Sequence, residues 1–418
     1  MTKMKKLIVA AFLGIVNFSS EALEWLTRAR KSQLDGDRIL LIRTAALGDF
    51  ILSIPAFERV RKAYPAARIT LLTSATTEQK TLRTVEAYSI EPSPWLSLLR
   101  PGIIDEVVPF LVTSFGDLWK QRRAILERKA FNRAFIVTEG FGVNPMGNIK
   151  KILFLRTLGV RCRIFGIRTR AYPLVFPSVQ RGLRGLEHHL LGNLRSVDED
   201  PVVADVSFGI SIPYVDPTVE AERWFEGYLR ETGIGNAAFV VIAPGSRLEF
   251  KRWPEKSYAE VISRLISGTR VHVLLVGSGP EKTTISRMRG ELWEGIAGSE
   301  LFHDLGGNTS LAQLAAVFRR AAVFLGNDGG TCHLAAASGC RVVSVLNGVE
   351  FPDAVVPWGS WQYTVRHSVP CSPCFSYSYC PRGDSICVSR ITPNDVLMKV
   401  EQALNDGAKG RLSDTVIF

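Results

Sequence analysis

Four clusters in this 418-residue chain combine glycine with ionisable side chains, and each falls where an apolar run gives way to a helical pattern. The first is Thr44-Ala-Ala-Leu-Gly48-Asp49. Gly48 permits a tight turn or a close backbone approach. Asp49 reads either as a helix N-cap or as a general base aimed into a cleft, and spacing alone favours the cap. The second cluster is Ala243-Pro244-Gly245-Ser246-Arg247, followed by Phe250-Lys251-Arg252-Trp253-Pro254. Backbone N–H groups, a hydroxyl and three cationic side chains could cradle a phosphate; a basic exposed loop is the competing reading. The G-x-x-x-x-G-K-[ST] spacing of a Walker loop is absent. The third cluster is Gly277-Ser-Gly279-Pro-Glu281-Lys282. Lys282 stands where the dinucleotide fingerprint needs its third glycine, which argues against a nicotinamide enzyme and for a plain turn. The fourth is Gly326-Asn-Asp328-Gly329-Gly330-Thr331-Cys332-His333, followed by Leu-Ala-Ala-Ala. A helix starting near Thr331 would direct free N–H groups and the positive end of its dipole at a diphosphate. Asp328 and His333 are placed to orient that loop or to meet the ligand.

The elements that must position these clusters alternate between strand and helix. Arg38–Arg43 is a short Ile- and Leu-rich run of the kind buried in parallel sheets, and Asp49–Ala63 carries apolar residues at helical spacing until Pro65 stops it. Further strands are expected at Arg68–Thr73 and Ala134–Val137. Residues 201–222 lack periodicity and contain Pro201, Pro213 and Pro217, as a linker would. A second series follows, with strands at Ala238–Ala243, Arg270–Gly277, Ala322–Leu325 and Arg341–Leu346. Helices are expected at Ser257–Ser267, Thr309–Ala321, Thr331–Ser338 and Pro393–Asn405. The order implies an α/β protein of two Rossmann-like, doubly wound parallel-sheet domains in series, 38–215 and 216–418, with a ligand cleft between them. Residues 1–37 form an N-terminal helical extension.

Charge divides the chain in the same way. Residues 1–200 hold 31 Lys/Arg and 18 Asp/Glu, a net of +13, whereas 201–418 hold 20 and 22, a net of −2. Fifteen basic residues and only Glu127 and Glu139 lie between Lys120 and Arg184. This run is a solvated surface or an anion-facing patch. Nucleic acid is an unfavoured partner, because a wrapping protein would be basic throughout and the run lacks regularly interleaved aromatics. The apolar run Leu7–Phe18 has twelve residues, too few to span a membrane as a helix. With its basic flanks and Trp25 it suits a helix at a membrane surface, with a packing helix and a secretory signal as alternatives.

Seven cysteines are present, an odd number. Cys371, Cys374, Cys380 and Cys387 form C-x2-C-x5-C-x6-C, the density of a small structural metal knuckle for Zn or Fe. Disulfides or unpaired thiols are the other readings.

Taken in order, these clusters resemble glycosyltransferase family 9, the ADP-heptose:lipopolysaccharide heptosyltransferases. The carriers are ILLIRTAALGDFILSIPA (39–56), IAPGSRLEFKRWPEKSYAEVI (242–262), LLVGSGPEK (274–282), DLGGNTSLAQLAAV (304–317) and GNDGGTCHLAAASGCRVVSVLNG (326–348). Where the family usually has Asp-Thr-Gly-x-x-His, this chain has Asp328-Gly329-Gly330-Thr331-Cys332-His333. Gly329 thus removes one hydroxyl. The resemblance implies a GT-B fold and an inverting transfer from a nucleotide-sugar to a phosphorylated lipid-linked oligosaccharide, with no cofactor or metal required for catalysis. It implies that the N-terminal domain binds the acceptor and the C-terminal domain the nucleotide-sugar, at the inner face of the cytoplasmic membrane. Asp49 matches the candidate base, with Gly48 and Arg43 beside it on the acceptor side. Lys251 matches the residue that offsets charge on the leaving diphosphate. Gly245, Ser246, Arg247, Asp328, Gly329, Gly330, Thr331 and His333 fall on the phosphate side, Thr309 and Leu311 where the base is held, and Glu281 where a ribose contact is expected. A protein acceptor, and a non-catalytic nucleotide-sugar-binding module, are the alternatives.

Overall fold

The computed structural model describes residues 37–43, 46–76, 91–92, 94–110, 131–137, 155–156, 163–166, 188–206, 212–293 and 295–407. The N-terminal extension, most of the Lys120–Arg184 run and Cys162 lie outside the described residues.

Two sheets are laid down in series. The first contains β1 (Arg38–Arg43), β2 (Arg68–Thr76), β3 (Glu91–Pro92), β4 (Glu106–Phe110), β5 (Arg133–Ile136) and β6 (Arg163–Phe165). Its order is β3-β2-β1-β5-β6, with β4 also on β2, and all pairings are parallel except β2–β3. β1 is apolar on both faces because both are covered. Ile39 and Leu41 enter one buried cluster with Phe57 and Val60, while Leu40 enters another with Ala134 and Ile136. After β1 the chain forms α1 (Leu47–Ile51), breaks at Leu52–Ser53 and continues as α2 (Ile54–Ala63), with Pro55 in its first turn. The single helix expected over 49–63 is therefore two. α3 (His189–Val197) and α4 (Pro201–Asp205) close this half. α4 occupies the start of the expected linker, because Asp200 accepts from the Val202 N–H and Pro201 fits the first helical position.

The second half opens with α5 (Val219–Glu231), capped by Thr218. It continues with β7 (Phe239–Ala243), α6 (Glu255–Arg264), β8 (His272–Leu275), α7 (Lys282–Gly290), β9 (Phe302–Asp304) and α8 (Leu311–Arg320). β10 (Val323–Asn327), α9 (Gly330–Ala337), β11 (Arg341–Leu346), β12 (Val365–Arg366) and α10 (Pro393–Gly407) complete it. The sheet is wholly parallel, in the order β12-β11-β10-β7-β8-β9. Every residue of β7, β10 and β11 is buried, which accounts for their largely apolar sequences.

The two halves meet through a shared apolar cluster. Ile51, Ile54 and Leu98 from the first half pack with Leu314, Phe318 and Leu334 from the second. The ring of His188 joins them as well, with Nε2 donating to the Val356 carbonyl at 2.8 Å and Nδ1 accepting from the Leu190 N–H. Among the described residues, no helix is long and apolar enough to cross a membrane.

Candidate functional site

Each sheet changes winding direction once. In the first, β1 leads outward to β2 on one side, while β5 and β6 continue on the other. In the second, β7 leads to β8 and β9, while β10, β11 and β12 continue on the opposite side. Open α/β sheets bind ligands at such switch points, outside the carboxyl ends of the two diverging strands. The turn after β1 carries Gly48 and Asp49. The turns after β7 and β10 carry Gly245–Arg247 and Asp328–Gly330. The three most reactive clusters thus lie at the two switch points.

The switch points touch. A Cβ on Gly330 would stand 2.9 Å from Leu47 Cβ and 3.0 Å from the Gly48 N, and one on Gly48 would stand 2.8 Å from His333 Cδ2. Glycine at both positions is what lets α1 and the start of α9 approach this closely. Asp49 lies in α1 as its third residue, so it is not the N-cap; Ala46 holds that position with no side-chain bond. Its side chain is 41% exposed, with Oδ1 3.9 Å from His189 Nδ1. Burial works to raise the Asp49 pKa. The neighbouring His189 ring and the charges of Arg43 and His333 outweigh it, so the carboxyl titrates below its ordinary value. Arg43, expected on the acceptor side, is buried instead. It donates to the Val137 and Asp49 carbonyls at 3.1 Å each and holds α1 on the sheet.

His333 is 8% exposed, and its Nδ1 has no hydrogen-bond partner among the described residues. Burial drives its pKa down against the charges of Asp328 and Asp49, which pull it up. On the second half, Lys251 Nζ lies 3.4 Å from Asp328 Oδ2, both side chains being 15% exposed. The same carboxylate oxygen accepts from Asn347 Nδ2 at 2.7 Å. Lys251 is thus held against the β10 turn. α9 begins at Gly330, one residue before the expected start, with Gly329 as its extended N-cap.

Around this centre the structure distributes the other expected residues. Ser246 accepts through its carbonyl from Arg252 Nε at 2.9 Å, and Arg247 is exposed. Glu281 forms a capping box with Ser278, accepting from its N–H and hydroxyl at 2.7 Å each, and its other oxygen lies against Gly245. Thr309 precedes α8 in the turn beyond β9. Leu311 packs against the interdomain apolar cluster, which commits much of its surface to structure. Cys371, Cys374, Cys380 and Cys387 line one cavity, bounded also by Phe250 and Asn347. Among the described residues, however, no three His, Cys, Asp or Glu side chains form a set that could hold a metal ion.

Two positions escaped the sequence reading. Asn327 is 4% exposed and ties three turns together. Its Oδ1 accepts from the Trp253 N–H at 2.8 Å, and its Nδ2 donates to the Pro244 and Gly245 carbonyls at 2.8 and 3.1 Å. A polar residue ending an otherwise apolar strand was the available signal. His189 is the other, and nothing in its local sequence points to a residue 140 positions earlier.

Residues 199–381 match the family model for glycosyltransferase family 9 (heptosyltransferase). The chain is similar to lipopolysaccharide heptosyltransferase 1 of Escherichia coli strain K12, with 22% identity over 79% of this chain and 93% of that protein. It resembles lipopolysaccharide heptosyltransferase 1 of Pseudomonas aeruginosa to the same degree, over 88% of this chain and 98% of that one. Among solved structures, E. coli ADP-heptose lps heptosyltransferase II superposes with a TM-score of 0.62 at 18% identity, covering 89% of this chain and 99% of the other. These neighbours establish the GT-B fold.

Proposed function

We propose that the chain is a member of glycosyltransferase family 9 and that it transfers heptose from ADP-heptose to a phosphorylated lipopolysaccharide core acceptor with inversion at the anomeric carbon. The observation that carries this reading is the meeting of the two switch points at Gly48 and Gly330. It sets the helix that carries Asp49 against the N-terminus of α9, and Lys251 is held at the turn that leads into α9.

In this mechanism Asp49 takes the proton of the acceptor hydroxyl. The hydroxyl oxygen forms its bond to the anomeric carbon as the bond from that carbon to the diphosphate breaks. The electron pair leaves with the nucleoside diphosphate. Asp49 is ionised at neutral pH, so its carboxylate is available to accept the proton. Lys251 and the N-terminal N–H groups of α9 offset the charge that develops on the leaving diphosphate. The Lys251–Asp328 pair and the Asn347 bond fix the ammonium group before the donor arrives, so little reorganisation is left for the reaction itself. Ser246 and Gly245 line the phosphate side, and Glu281 lies next to them for the ribose. The +13 charge of residues 1–200 supports an acceptor that is itself anionic, and a peripheral position on the cytoplasmic face of the membrane.

The test is transfer from ADP-heptose by purified variants. Asp49→Asn should lower turnover by about 10²–10⁴-fold while ADP binding persists. Lys251→Ala should weaken ADP binding and lower kcat together. Wild-type turnover by Asp49→Asn would remove the base assignment. A Lys251→Ala effect confined to acceptor KM would reverse the division of labour between the two halves. A thermal-shift panel of nucleotide-sugars identifies the donor, since the true one raises Tm by mass action.

A further inference from the structure

α3 begins at His189, and two buried contacts fix where that residue stands. At its start, His188 bonds across the domain interface to the Val356 carbonyl and rests edge-on against Trp358, with ring centroids 5.1 Å apart. One turn on, the fully buried Asn193 donates from Nδ2 to the Leu52 carbonyl at 2.9 Å, in the break that ends α1. α1 is held from its other side by Arg43 and by Ser53, whose hydroxyl donates to the Asp49 carbonyl at 2.7 Å. The backbone carrying Asp49 and the helix carrying His189 are therefore latched to each other. The two side chains point into the same space, with Nδ1 3.9 Å from Oδ1.

We propose that His189 is a positioning residue for Asp49, orienting its carboxylate for the acceptor hydroxyl. This inference rests on the reading of Asp49 as the base. When the acceptor closes over the site, an Nδ1–H directed at Oδ1 needs a shift of only about 1 Å to become a full hydrogen bond. That bond leaves Oδ2 as the oxygen free to take the acceptor proton. A donor on a carboxylate favours its charged form, so His189 also widens the pH range over which the base is ready. The other groups facing Asp49 are Arg43 from β1 and His333 from α9. Asp328 and Lys251 lie behind His333, and His188 is committed to its cap and its interdomain bond. Arg43 is bonded to backbone carbonyls. His189 is thus the ring with a nitrogen at the carboxylate itself.

The experiment is the pH profile of kcat and of kcat/KM for full-length His189→Ala, His189→Asn and Asp49→Asn, with ADP binding and Tm measured alongside. His189→Ala should lower kcat by tenfold or more, leave donor KM and ADP affinity within twofold, and move the acid limb of kcat/KM upward. His189→Asn places an amide N–H where Nδ1 stood and should recover most of kcat at pH 8. Wild-type kcat and an unmoved acid limb in His189→Ala, with Asp49→Asn inactive, overturn this inference and leave the base assignment standing. Activity in Asp49→Asn overturns both. If His189→Ala does not fold, His189→Asn decides the matter: a kcat at pH 8 no higher than that of Asp49→Asn overturns the inference.

Discussion

Asp328 shows how much a single side chain does at this site. One of its oxygens meets both Lys251 and Asn347, and its N–H donates to the Val345 carbonyl at 3.0 Å. Asp328→Ala would leave an ammonium group and an amide without their shared partner, in a place that is only 15% exposed. The cost of one such loss is about 1–3 kcal/mol, and a value near 1.4 corresponds to tenfold. Donor KM should therefore rise about tenfold or more, as steady-state kinetics with ADP-heptose would show. Cys332, four residues on, behaves differently. Burial pushes its thiol up to about 12, and its Sγ donates to the Asn327 carbonyl. It should resist alkylation in the folded protein under conditions that modify the more accessible Cys380 thiol. Mass spectrometry after iodoacetamide treatment would show which sites react. Asp49, Lys251 and Asp328 were legible as candidates in the sequence through residue type and placement after apolar runs. The structural duty of Arg43 was not, because an arginine at a strand end is ordinarily solvated, and only the course of β5 supplies its Val137 partner.

At the scale of elements, the turns after β7 and β10 are held in register by Asn327. Asn327→Ala removes its bonds to Trp253, Pro244 and Gly245 and leaves buried backbone groups unpaired. The expected loss is on the order of 2–3 kcal/mol. A chemical denaturation midpoint would read it, and ADP affinity should fall in parallel because the phosphate-side turns are the ones released. The long buried strands, β1, β7 and β11, were legible because both faces of a parallel strand are covered, and their runs are largely apolar. β3, β9 and β12 have only two or three residues each, too few for any periodicity to register. α5 was missed because its start lay in a stretch rich in proline, although its Thr218 cap and Glu220 and Glu222 in the first turn are ordinary helix-start signals.

For the whole molecule, the contact between the two halves is where substitution and pH should act together. Gly330→Ala places a methyl group about 3 Å from the Gly48 backbone, which cannot rotate away. Turnover should fall while the secondary structure remains, and circular dichroism with kinetics on the same sample would check both. His188 supplies the pH dependence. Burial is the main cause that lowers its pKa to about 4 from an ordinary 6.5. Between those values the unfolded chain binds a proton that the folded chain does not. Stability contributed by neutral His188 is therefore intact above about 6.5 and declines as pH falls toward 4, by up to about 3 kcal/mol. Denaturation curves at pH 7 and pH 4.5 should show this loss, and His188→Gln should flatten the slope.

The sequence by itself determined the two-domain α/β order and where the glycine-rich and ionisable clusters fall along it. Each of these is written in local terms: apolar runs of strand length, glycines at strand ends, and ionisable residues just after them. Which residues face one another was decided only by the tertiary structure. Asp49 and His189 are 140 residues apart, and Lys251 and Asp328 are 77 apart. Each pair is brought together by strand order and by helices crossing between layers. A carboxylate is a helix cap or a base according to the register of its helix and to what packs opposite. For Asp49 the structure decided against the cap by starting α1 two residues earlier.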